Sequence, residues 1–93
     1  KLPSISSGSS VGHLFVIRVG ERDHLQKHMT ACNIMTDIHY PIPDHRQHAF
    51  RTQYKHISLP HTEQACKEVL TLPCFPEMTE EDIQTVIRSA NEW

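Results

Sequence analysis

The chain has 93 residues, 38% of them hydrophobic, and a formal charge of −2 at neutral pH with the histidines uncharged. One domain is expected at this length, burying roughly 60 to 65% of the unfolded chain's surface. Charges of both signs are mixed along it, which excludes the footprint of a nucleic-acid binder or a polybasic membrane anchor, and no apolar run suits a signal peptide or a membrane span. The first residue is Lys1 and not a methionine, so a piece of a longer protein is expected. The three cysteines, Cys32, Cys66 and Cys74, are too widely spaced for a C-x-x-C site or a small disulfide framework. A reducing, cytoplasmic setting is the simpler reading, with Cys32 and Cys66 as small buried thiols on apolar helix faces.

In chain order, residues 1–12 have the small polar composition of a flexible lead-in or a cut end, and the domain proper is expected over 13–93. His13 to Val19 is β-branched and aromatic, a strand with Phe15, Ile17 and Val19 on one face and Leu14 and Val16 on the other. Such a strand wants cover on both faces. A domain this small has helices for one side only, leaving the other to a neighbouring domain. From Arg22 to Cys32, Leu25, Met29 and Cys32 recur at helical spacing, and Asn33 ends the helix because asparagine tolerates the left-handed conformation. Ile34 to Tyr40 reads as a second strand, with Ile34 and Ile38 inward and Asp37 and His39 on the polar face.

Pro41 and Pro43 then fix φ, remove backbone donors and make Tyr40 to Pro43 a stiff projecting arm. Asp44 is placed to cap a short helical turn running towards Tyr54. Pro60 and Thr62 open another helix, and Leu70 to Cys74 reads as the third strand. The last helix has the firmest signals: Thr79 as N-cap, Asp82 three residues on, Met78 set to staple onto Ile83, and Ile83, Val86, Ile87 and Ala90 on one face. The expected class is α+β, a small three-stranded sheet with helices mainly on one face. Antiparallel pairing suits strands this short, while strand order is not readable.

Chemistry concentrates in T-D-I-H-Y-P-I-P-D-H-R-Q, from Thr36 to Gln47. Functional groups favour loops held by a rigid frame, so His39, Tyr40, His45 and Gln47 are the candidate binding residues. By residue type alone they are equally well explained as surface polar groups. Eight histidines raise the question of a metal, since His24 and His28 are i, i+4 and His45 and His48 are close. A structural zinc wants four ligands, though, and neither pair has a C-x-x-C or H-E-x-x-H companion, so no metal site is assigned. No G-x-S-x-G elbow or glycine-rich phosphate loop is present. Alone, the chain lacks a complete active site, and a stand-alone histidine-rich binding module is the reading from another functional class.

The order of residues is more specific than their composition. H-L-F-V-I-R-V at His13 to Val19, R-D-x-L at Arg22 to Leu25, the Thr36 to Gln47 run, L-P-H-T-E at Leu59 to Glu63 and L-T-L-P-C-F-P-E-M-T at Leu70 to Thr79 come in one characteristic order. Together they resemble the C-terminal domain of the DegT/DnrJ/EryC1/StrS family of pyridoxal-phosphate-dependent sugar aminotransferases. The resemblance implies the small domain of a fold type I aminotransferase whose large, cofactor-binding domain is absent. It also implies a homodimeric full-length enzyme that moves an amino group, with glutamate the expected donor, to a keto-sugar nucleotide.

In that family the large domain supplies the cofactor lysine and most phosphate contacts. Lys1, Lys27, Lys55 and Lys67 do not match the lysine motif, so no catalytic or cofactor-binding residue is assigned here and the chain by itself is expected to be inactive. By the same resemblance the loop reaches the rim of the sugar-nucleotide site, with His45 the leading substrate contact and His39, Tyr40 and Gln47 behind it. Asn33 stands where the family usually has glycine, a mild departure. Some members dehydrate sugars instead, and the position that decides this lies outside the chain.

Overall fold

Strand β1, Phe15–Arg18, pairs antiparallel with strand β2, Val69–Leu72, placing Phe15 opposite Leu72 and Arg18 opposite Val69. The computed structural model describes residues 1–3 and 12–93, so most of the lead-in expected over 1–12 lies outside the described residues. Period-two alternation puts Phe15 and Ile17 on the same face as Leu70 and Leu72, and that face meets Leu25, Met29, Ile34, Val86 and Ala90 to form the core. Met29 and Leu70 are its centre, both 0% exposed.

Helix α1 is Arg22–Ala31 and buries Leu25 and Met29. Its end is a Schellman turn: Asn33 takes φ 59, its N–H reaches the Thr30 carbonyl at 3.0 Å, and the Ile34 N–H reaches the Met29 carbonyl at 2.9 Å. Ile34 and Met29 also pack together in the core, the apolar contact that such a turn brings with it. Helix α2, Pro60–Glu68, carries proline in its first turn, where the missing donor has no cost. Its far end is tied down twice. Arg22 Nη1 donates to the carbonyls of Cys66 and Val69 at 3.3 Å each, and Arg18 donates to Glu68 Oε2 from Nε at 3.0 Å and Nη2 at 2.6 Å. Hydrogen bonds from the Gln64 amide, then from Arg18, lower the Glu68 pKa.

Helix α3, Glu80–Asn91, starts as the sequence indicates. Thr79 Oγ1 accepts from the Asp82 N–H at 3.1 Å and the Asp82 carboxylate accepts from the Thr79 N–H at 2.9 Å, a complete capping box. Its apolar face divides. Val86 and Ala90 reach the core, while Ile83 and Ile87 are exposed and, with Phe15, Phe75, Pro76 and Met78, line an open groove of about 680 Å³. Leu14, immediately before β1, is also exposed.

Two expectations are corrected. Among the described residues the sheet has two strands, not three: in segment 34–40 Asp37 alone bridges to β2. Asp37 exchanges both backbone bonds with Thr71, at 3.1 and 2.7 Å, but no second pair follows, and Pro41 and Pro43 have no donor to continue a ladder; the outward-facing Ile38 N–H bonds the Asp37 carboxylate at 2.7 Å. Asp44, expected as a helix cap, is instead the first residue of a 3-10 turn, Asp44–Arg46, that has no side-chain cap. Its carboxylate accepts from the Gln47 amide at 3.0 Å, and extended backbone at Gln47 closes the turn. From 48 to 56 the chain is irregular turn, not helix.

Truncating the core should cost far more than uncapping. Met29→Ala is expected to lower unfolding free energy by about 2 to 5 kcal/mol and Thr79→Ala by about 1 kcal/mol, measured by urea denaturation. A Met29→Ala loss no larger than that of Thr79→Ala would contradict the assigned core.

Candidate functional site

The proline arm is fastened at both ends by histidines. At its start, His39 is half-buried with Nδ1 bonded to Thr71 Oγ1 at 2.9 Å. Its Nε2 lies 3.6 Å from the Asp37 carboxylate. At its end, His45 is only 7% exposed, and its Nε2–H donates to Glu63 Oε1 at 2.9 Å. Between these ties the arm stands out from the fold, with Tyr40 70% and Ile42 53% exposed. The Tyr40 ring meets the His39 ring edge-on, with centroids 5.5 Å apart.

The four residues singled out from sequence therefore differ in setting. Tyr40 and Gln47 are exposed, Gln47 being held to Asp44; His39 is intermediate; His45 is interior. Sequence reasoning missed Glu63, Thr71 and Ile42. Glu63 and Thr71 come from α2 and β2, far along the chain, and the signal for Glu63 was present in L-P-H-T-E without a role attached.

Glu63 is the electrostatic centre of the loop. Besides His45, its Oε1 accepts from Arg46 Nη2 at 3.2 Å and from the Leu59 N–H at 3.3 Å. These donors, His45 first, then the Leu59 amide and Arg46, lower the Glu63 pKa from 4.5 to about 2. The carboxylate is thus ionised throughout the neutral range and acts only as an acceptor.

The other histidines are engaged elsewhere. His28 Nε2–H donates to the Ser89 carbonyl at 2.9 Å, tying α1 to the end of α3, and His24 Nδ1 accepts from the Trp93 indole at 3.3 Å. Among the described residues no group of three or more histidine, cysteine or acidic side chains is arranged to hold a metal ion. No helix of the described residues is long and apolar enough to cross a membrane. A second cavity, about 490 Å³, lies against Leu14, Thr36, Asp37, Thr71 and Cys74.

Comparison with known proteins shows which family the chain falls in. The family model of the DegT/DnrJ/EryC1/StrS aminotransferases matches residues 2–91. The chain belongs to that family. The dTDP-3-amino-3,6-dideoxy-alpha-D-galactopyranose transaminase of Aneurinibacillus thermoaerophilus is 40% identical over 93 residues, covering 99% of this chain and 25% of that enzyme. The Streptomyces venezuelae dTDP-3-amino-3,4,6-trideoxy-alpha-D-glucose transaminase is 37% identical over 84 residues, 89% of this chain and 22% of that one. Among solved structures, S. venezuelae DesV in complex with a ketimine intermediate superposes with a TM-score of 0.91 at 35% identity, covering 99% of this chain and 25% of its own. NtdA from Bacillus subtilis with bound cofactor PMP gives a TM-score of 0.81 at 34% identity, over 99% of this chain and 22% of its own. The chain spans about a quarter of the length of the relatives it matches.

A pyridoxal cofactor requires a lysine amine in a pocket and a cradle of donors for its phosphate. Lys1, Lys27, Lys55 and Lys67 are all exposed, and neither cavity is lined by a lysine or an arginine. The described residues do not fit that group.

The Glu63 carboxylate makes the loop acid-sensitive. Because its pKa is depressed on folding, its contribution to stability is full above about 4.5 and lost as pH falls towards about 2. The stability difference between the parent and Glu63→Gln should shrink over that window in thermal melts. A difference constant from neutral pH to pH 2 would exclude the carboxylate as the cause.

Proposed function

We propose that this chain is the C-terminal small domain of a pyridoxal-phosphate-dependent sugar aminotransferase and that its proline arm touches the sugar nucleotide. The observation that carries the reading is the arm itself: a stiff segment pinned at both ends by buried or half-buried histidines, with Tyr40 and Ile42 exposed between them. It sits in a chain that matches transaminases along nearly its whole length. Pinning matters because a contact group already ordered loses little further entropy on binding. Tyr40 offers a ring face and a hydroxyl, and His45 and Gln47 offer polar atoms for sugar hydroxyls or phosphate oxygens.

In this reading the rest of a longer protein supplies the cofactor, whose electron-sink chemistry drives transfer of an amino group from glutamate to a keto-sugar nucleotide. It works as a cytoplasmic homodimer, and this chain alone has no turnover. The open groove along α3, with Ile83, Ile87 and Phe75 exposed, fits cover by that larger part. The names of the relatives favour amino transfer over the dehydration that some family members perform.

His45→Ala in the full-length enzyme is expected to weaken use of the sugar nucleotide by about 1 to 3 kcal/mol in kcat/KM, a range that runs from one neutral to one charge-assisted hydrogen bond. The half-reaction with glutamate should change much less, and exposed His24→Ala should leave both near the parent values. Half-reaction rates and a thermal melt check this. Equal losses in both half-reactions together with a lowered melting temperature would make His45 a scaffold residue only.

A further inference from the structure

Three donors converge on one oxygen of Glu63: His45 Nε2 at 2.9 Å, Arg46 Nη2 at 3.2 Å and the Leu59 N–H at 3.3 Å. Since an ionised carboxylate can only accept, the His45 proton must sit on Nε2. In the uncharged ring this leaves Nδ1 with a lone pair and no proton. Nδ1 has no hydrogen-bond partner among the described residues. The fully buried side-chain polar atom left unpartnered among them is Thr36 Oγ1 and not His45 Nδ1, so Nδ1 keeps some contact with solvent although the residue is 7% exposed.

We infer that Glu63 is a positioning residue that fixes His45 in the Nε2–H form, leaving Nδ1 open as an acceptor, so that this corner of the site takes a hydroxyl donor of the sugar and not a phosphate oxygen. The inference rests on the reading of the arm as a sugar-nucleotide contact. A phosphate oxygen brings no proton and would face the Nδ1 lone pair. A sugar hydroxyl brings the proton that this atom lacks. Glutamine at position 63 keeps the shape but releases the constraint, because an amide can donate to Nε2 as readily as accept from it.

The test uses the full-length holoenzyme with dTDP-3-amino-3,6-dideoxy-alpha-D-galactopyranose as amino-sugar substrate, 2-oxoglutarate as the keto acid that accepts its amino group and is converted to glutamate, and dTDP alone as inhibitor. Glu63→Gln should raise KM for the amino sugar about tenfold, the effect of losing one hydrogen bond, with kcat, the KM for 2-oxoglutarate and dTDP inhibition within about twofold of the parent. In a His45→Ala background the same change should add nothing, since Glu63 acts through the histidine. If Glu63→Gln does not fold, Glu63→Asp, which keeps a carboxylate, carries the comparison with a smaller rise.

An undiminished Glu63→Gln effect in the His45→Ala background would make Glu63 structural. Parallel weakening of dTDP inhibition would move the contact to phosphate. A KM raised by His45→Ala but not by Glu63→Gln would overturn the positioning role alone. A His45→Ala enzyme with unchanged amino-sugar kinetics would overturn the reading of the arm beneath it.

Discussion

The double backbone bond between Thr71 and Asp37 is the constraint from which the rest of the structure is laid out. It fixes the incoming segment against β2 at one residue and no more, since no second pair follows it; the Ile38 N–H, which points away from β2 in an antiparallel pair, is taken by the Asp37 carboxylate. The chain therefore leaves the sheet edge immediately, with His39 still reaching back to the Thr71 hydroxyl. Thr71 thus serves the sheet with its backbone and the arm with its side chain. Its neighbours Leu70 and Leu72 point the other way into the core, so the placement of the arm is coupled to the packing of α1 and α3.

At the far end of the arm the constraint is electrostatic. Buried polar groups need partners, and His45 finds one in a carboxylate that is itself held by Arg46 and the Leu59 amide. Pro60 lets α2 begin immediately after Leu59, which puts Glu63 on the first turn, where the helix dipole also favours a negative charge. The short 3-10 turn aims His45 at it. Neither element would place the pair without the other.

The histidines divide by what they join. His28 links α1 to α3, His39 links the arm to β2, and His45 links the 3-10 turn to α2. Their abundance reflects long-range fastening in a small domain, where few side chains are large enough to bury and an imidazole can span a gap with one end apolar and one end bonded. The arm is rigid for the same reason: two prolines limit the backbone and two bonded rings hold its ends.

Local rules sufficed for much of this protein. The Schellman end at Asn33, proline at the start of α2, the capping box of Thr79 and Asp82, and the inward face of α1 all follow from residues within a turn of one another, and the sequence shows them directly. The projecting arm was also legible, since proline acts on its own backbone and its neighbour's. The number of strands was not, because whether 34–40 pairs depends on how the segment lies against β2, and it meets that edge at Asp37 alone before the proline arm turns away. Nor was the burial of His45 legible. Its partner lies 18 positions away, and only the packing of α2 against the loop brings an acid and an imidazole together, a meeting that no periodicity or spacing encodes.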